Sequence, residues 1–161
     1  MNAAIVILGL VTLQRVSELV IAHRNTQRLL AAGAIERSPE HYPLMVALHI
    51  AWLAGLWWLA PGQPVSVVFL VIYILLQGLR VWVIATLGSR WTTRIIILPN
   101  APLVRYGPYR VISHPNYVVV ICEIAVLPLV FGLIGYAAVF SVLNAIILLV
   151  RIRAENAALA S

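Results

Sequence analysis

The chain has 161 residues, 63% of them apolar and only 10% charged, with a formal net charge of +6. A soluble domain of this size needs about a quarter of its residues charged to cover its surface, so this composition excludes one and makes a bilayer the natural solvent for a single domain. The eleven basic residues are all Arg; they are scattered at span ends with no basic, aromatic-interleaved patch, which argues against nucleic acid and marks them as topology signals.

Five apolar spans are predicted, at 3–22, 43–60, 65–87, 114–131 and 135–152. Each is close to the ~20 residues that cross a hydrocarbon core of ~30 Å. The first has no basic region ahead of it and reads as a retained helix, not a removed signal. On it Arg15 and Glu18 lie three apart and share a face. The segment 23–42 follows, with Arg24, Arg28 and Arg37. It can form a short interfacial helix that Gly33 ends, with Ser38-Pro39 restarting the chain. The second and third spans join through "PGQP" (61–64), a short uncharged turn and hence a tight hairpin. Gln77 and Arg80 share a face of the third span.

Segment 88–113 carries Arg90, Arg94, Arg105 and Arg110. In it "RIIIL" and "LV" flank "PNAP", which predicts two short extended pieces around a turn. Loops this long are functional or disordered. The apolar content favours a flap folded over something at the membrane surface. The fourth span begins at His114-Pro115 and holds Glu123 roughly 14 Å deep at ~1.5 Å per residue. An isolated carboxylate there is costly, so it should face the bundle and pair with Arg15 or Arg80, either as a structural tie or as a functional group. Cys122 beside it reads as a small packing residue. "GLIG" (132–135) turns the chain into the fifth span. There Asn144, Arg151 and Glu155 fall at i, i+7 and i+11 on one helical stripe. With the charged segments on one side and the neutral turns on the other, the N-terminus is predicted outside and the C-terminus cytoplasmic. The stripe then emerges on the same side as the 88–113 flap and His114.

Some chemistries find no support. His23, His41, His49 and His114 lack ligand-like spacing, so no metal is expected. There is no G-x-G-x-x-G after a strand and no G-x-S-x-G element. What stands out is "GPYRVISHPNY" (107–117), a polar, Pro-stiffened run entering the fourth span, followed by "RIRAEN" (151–156) ending the fifth. Pro108 and Pro115 stiffen the chain, Gly107 permits a tight turn, and a helix N-terminus after His114 favours an anion.

This pair of motifs, over roughly 88–156, resembles the isoprenylcysteine carboxyl methyltransferase family of integral membrane enzymes and the related phospholipid N-methyltransferases. The resemblance implies an all-α membrane protein of five transmembrane helices with a cytoplasmic flap over a site for S-adenosyl-L-methionine. It implies that Pro102, Leu103 and Val104 line the adenosine side with Tyr109. His114, Pro115, Asn116 and Tyr117 form a second wall, Glu155 holds a polar cofactor group, and Arg94 stands near a cofactor-contacting position. Arg151 faces the substrate as the catalytic residue. The chain departs from the family pattern at Ser113, where an Arg is usual, at Val119 for a Gly and at Asn156 for a second Glu. These departures look more like a bacterial branch associated with alkylpyrones and alkylresorcinols. The expected activity is O-methyl transfer, in a bacterial cytoplasmic membrane, to a lipophilic acidic acceptor entering from the bilayer. Few general bases lie near the motif, which suits an acceptor that is already anionic, a carboxylate or an acidic hydroxypyrone. The alternatives are a phospholipid N-methyltransferase, a nicotinamide-dependent membrane reductase of similar fold, and a non-catalytic scaffold or transporter component.

Overall fold

The computed structural model describes residues 2–160. Five helices carry the architecture: α1 (Ala3–Ala31), α2 (Tyr42–Leu59), α3 (Val67–Leu87), α4 (Pro115–Val130) and α5 (Ile134–Ala160). By length and composition four of them, all but α4, are long and apolar enough to cross a membrane. At 16 residues, α4 spans only ~24 Å, because Pro115 fixes its start and Gly132, at φ +69°, turns the chain just beyond its end. Large apolar side chains such as Leu13, Trp58, Val67, Leu75 and Ile134 stand exposed along the helices. An aqueous monomer does not present such continuous apolar faces, whereas lipid accepts them.

The helix α1 is longer than the sequence predicts. It passes through 23–31 without a break, so no separate interfacial helix follows it. Those residues are polar but tolerate a helix, and no breaker occurs before Gly33, which takes φ +89°. The extension has a task. Asn25 Nδ2 donates to the carbonyls of Gly88 and Trp91, at 3.2 and 2.8 Å, and so anchors the long α3–α4 connection.

That connection is also stitched to the α1–α2 segment. Strand β1 (Ile35–Glu36) pairs antiparallel with β2 (Ile96–Ile97), with Ile35 opposite Ile97 and Glu36 opposite Ile96. Of the two extended pieces expected around "PNAP", only the first forms a strand, and its partner is β1 rather than the second piece.

The helices close on a core that includes Leu8, Trp52, Leu56, Tyr73, Ile124, Leu127 and Phe131. Trp52 Nε1 donates to the Ile124 carbonyl at 3.3 Å, tying α2 to α4. Gly55 is needed where it stands, because a Cβ there would run into Tyr136 Oη. Next to this core lies a buried charge network. Arg80 binds Glu18 through two contacts of 2.6 Å and Glu123 at 2.9 Å, while Arg15 reaches Glu123 at 2.8 Å. Gln77 Nε2 adds a bond to Glu123 at 2.9 Å and Gln14 Nε2 one to Gln77 at 2.7 Å. Two guanidiniums and two carboxylates neutralise each other, so α1, α3 and α4 share a charge-balanced polar node. Removing one member would strand a buried charge. Both candidate partners of Glu123 are therefore engaged at once.

Candidate active site

Two cavities meet where α4, α5 and the α3–α4 connection converge. The larger, about 690 Å³, lies under that connection. Its lining mixes Ile95, Ile97, Leu98, Leu103 and Val104 with Tyr109, His114, Asn116, Tyr117, Arg151 and Glu155. The smaller, about 300 Å³, runs between α1 and α2 past Val16, Leu19, Met45, Val46, His49 and Leu53 down to the charge network. Trp91, Thr92, Asn116, Tyr117 and Arg151 line both and form the wall between them.

The local sequence explains this convergence. Gly107, at φ +58°, starts a 3-10 turn over Gly107–Arg110. A Cβ on it would fall 2.8 Å from Thr86 Oγ1, so only glycine lets the turn sit this close to the end of α3. Tyr106 Oη donates to the Thr86 carbonyl at 2.9 Å and holds the turn down. Pro115 then opens α4, and Tyr117 follows within its first turn.

Tyr117 and Arg151 form the centre. Arg151 Nε donates to Tyr117 Oη at 2.9 Å, and Tyr117 Oη donates to the Glu155 carboxylate. The other guanidinium nitrogens go to the Thr93 carbonyl, at 2.5 Å, and to Met45 Sδ, at 2.8 Å. Arg151 is buried, and all three of its partners are neutral. Its charge is held in place without being cancelled by direct contact. Such a cation at the wall of a cavity favours an anion placed against it. Glu155 sits one turn further along α5, with His114 Nδ1 3.9 Å away, while His114 Nε2 meets Asn156 Oδ1 at 3.1 Å. Burial and the nearby Glu155 charge push the Tyr109 phenol up to about 12, so it is neutral across the physiological range.

Most of the residues expected at the site are brought together. Leu103, Val104, Tyr109, His114, Asn116, Tyr117, Arg151 and Glu155 all line the larger cavity. Pro102 and Pro115 do not. The Pro102 carbonyl accepts from Arg90 Nη1 at 2.7 Å, and Pro115 is buried at the start of α4. Arg94 borders the cavity, but its guanidinium is committed elsewhere, 2.7 Å from Glu36 and 4.2 Å above the Tyr42 ring. The hydrogen bond to Glu36 raises the Arg94 pKa above its ordinary value. The α4 N-terminus also offers less to an anion than its sequence implies. The N–H groups of Tyr117 and Val118 already donate to the His114 carbonyl, at 3.1 and 3.3 Å. Side chains, not the helix end, carry the site. The structure adds Trp91, Thr93, Met45 and His49, which no motif announces.

Comparison with known proteins bears on this geometry. The model of the isoprenylcysteine carboxyl methyltransferase (ICMT) family matches residues 67–161, the part of the chain that builds most of the larger cavity. The chain belongs to the isoprenylcysteine carboxyl methyltransferase family. Membership implies methyltransferase activity, here in a protein of several apolar, membrane-length helices. The chain is 35% identical over 166 residues to the uncharacterized protein YpbQ of Bacillus subtilis (strain 168), covering 95% of this chain and 94% of that one. It is 30% identical over 152 residues to an uncharacterized protein of Haemophilus influenzae, covering 90% and 88%. No solved structure matches.

Proposed function

We propose that this member of the ICMT family transfers the methyl group of S-adenosyl-L-methionine to an oxygen of a lipophilic, acidic acceptor. The observation that carries the reading is the position of Arg151: a buried guanidinium with neutral partners only, in the wall between a mixed polar cavity and an apolar one.

The larger cavity fits the cofactor. Its volume lies within the ~300–1,000 Å³ usual for small-molecule sites. Two buried polar atoms in its lining have no partner among the described residues, Asn116 Oδ1 and Trp91 Nε1. An acceptor and a donor left open in this way suit a ligand rich in hydroxyl and amino groups. Glu155 would hold the cofactor's ammonium with Asn116. Ile95, Leu103 and Val104 with Tyr109 would take the flat adenine. When bound, the cofactor supplies an electrophilic methyl group on a sulfonium. The chain's own part is to fix the acceptor and exclude water. Arg151 would orient the acceptor oxygen by charge-assisted hydrogen bonds. Tyr117 would keep Arg151 aimed, with its proton given to Glu155 and its lone pair to Arg151. The apolar walls of the smaller cavity would take the acceptor's chain from the bilayer.

The reading includes five crossings, with the N-terminus outside, the C-terminus cytoplasmic, and α4 as a short crossing shielded by its neighbours. The cofactor then arrives from the cytoplasm, and a bacterial cytoplasmic membrane supplies the acceptor. The test incubates purified protein with labelled S-adenosyl-L-methionine and three acceptors: an alkylpyrone, a prenylcysteine analogue and phosphatidylethanolamine. Label in an oxygen acceptor is the expected result. Label in the amine lipid alone would overturn O-methylation in favour of N-methylation.

A further inference from the structure

We infer that His49 takes the hydroxyl proton of the acceptor during transfer, and that the acceptor is therefore a phenol rather than a carboxylate; this rests on the methyl-transfer reading above. His49 Nδ1 lies 2.8 Å from the Met45 carbonyl. A carbonyl oxygen can only accept, so Nδ1 carries the hydrogen and Nε2 keeps a lone pair. No bond occupies Nε2 among the described residues, and the imidazole lines the smaller cavity. One helical turn before it, a rise of ~6 Å, the Met45 sulfur touches Arg151 Nη1 at 2.8 Å. The free nitrogen and the guanidinium that would hold the acceptor oxygen thus belong to one small chamber.

Other candidates for the base are already occupied. Glu18 and Glu123 are bound by Arg15, Arg80, Gln14 and Gln77. Tyr117 Oη is spent between Arg151 and Glu155. The cavity that the imidazole lines is also lined by Arg15 and Glu18 from α1, Tyr42 from α2, Arg80 from α3, Tyr117 and Glu123 from α4 and Arg151 from α5. Three guanidiniums against two carboxylates leave one positive charge in surplus, which favours the acceptor as an oxyanion once its proton has moved.

In the step, the acceptor O–H bond breaks and its proton goes to His49 Nε2. The oxygen's electron pair forms the bond to the methyl carbon, and the carbon–sulfur pair of the methylsulfonium donor stays on sulfur. One positive charge leaves the sulfur and one arrives on the imidazole, which later gives its proton to water. An ordinary carboxylic acid, with a pKa near ~4, is already ionised at neutral pH and needs no base. A hydroxyl does, and an imidazole with an unoccupied ring nitrogen can take that proton.

The test compares wild type with His49→Gln and His49→Leu. Without any methyl donor, wild type should bind an alkylresorcinol roughly tenfold tighter than its O-methyl ether, the effect of about one hydrogen bond, and His49→Leu, which has no acceptor atom, should lose that preference. Transfer to the resorcinol should fall about a hundredfold or more in His49→Gln, with cofactor affinity unchanged. In wild type, the pH at which the rate falls should stay in place when the resorcinol is exchanged for a more acidic phenol. A His49→Gln protein with wild-type rate, a His49→Leu protein with wild-type preference, or a pH limb that moves with the acceptor, overturns the inference while methyl transfer stands. Where the substitution disturbs folding, the wild-type ligand pair and the pH limb decide alone. Wild type that labels no oxygen acceptor removes the methyl-transfer reading, and the inference with it.

Discussion

Replacing Tyr117 with Phe isolates the hydroxyl at the centre of the site. The ring stays, with its position 5.7 Å from the Arg151 guanidinium, and the volume is nearly conserved. Only the oxygen that accepts from Arg151 Nε and donates to Glu155 is lost. A hydrogen bond to a charged group contributes ~1.5–3 kcal/mol. The Glu155 side chain is 27% exposed, so water replaces its lost donor and that half counts for little. Arg151 is only 8% exposed, and its Nε is left unpaired. The net loss is therefore about one charged bond, ~1.5–3 kcal/mol. For a chain of this length that lowers Tm by roughly 3–12 °C. If Tyr117 aims Arg151, kcat/KM should also drop about tenfold to a hundredfold. Thermal unfolding in detergent and initial methyl-transfer rates read the two effects. A Tyr117→Phe protein that keeps both its Tm and its rate would refute the relay from Glu155 through Tyr117 to Arg151.

Glu155→Ala should weaken cofactor binding about tenfold to a hundredfold by calorimetry, whereas Arg94→Ala, whose guanidinium is already held by Glu36 and Tyr42, should weaken it far less. Gly55→Ala pushes a methyl group against Tyr136 Oη, which donates to the Ala51 and Trp52 carbonyls at 3.2 and 2.8 Å; overpacking of this kind costs ~1–3 kcal/mol, and a lower unfolding temperature would register it. A reporter active only outside the cytoplasm should light up when fused at Gln63 or Gly135 and stay dark after Ser161; the reverse pattern would invert the proposed orientation.

The helices were legible because apolar runs near the membrane length leave few alternatives, and the two hairpin turns show as short neutral breaks. The pairing of Glu123 was legible too, since a lone carboxylate in an apolar run demands a cation, and Arg15 and Arg80 were at hand. Tyr117, Arg151 and Glu155 could be placed together from their motifs. Other features depend on contacts that local sequence does not carry. The extension of α1 to Ala31 is supported by Asn25 bonding a loop 63 and 66 residues away. A pair of two-residue strands is too short to show a period, so β1 leaves no signal, and nothing local in the sequence pairs Arg94 with Glu36, 58 residues away. His49 is a single polar residue in an apolar span. Only the fold places it in the wall of the cavity that Arg151 also lines.

In the proposed function, Arg151 acts on the acceptor and not on the cofactor. Its direct test is Arg151→Ala, with the dissociation constant for S-adenosyl-L-methionine and the methyl-transfer rate at saturating cofactor measured on the same preparation. A lost charge-assisted contact to the reacting oxygen predicts a rate reduced about a hundredfold or more, with cofactor affinity changed by less than about threefold, under ~1 kcal/mol. A cofactor affinity that falls in step with the rate would place Arg151 in the cofactor site and contradict the account.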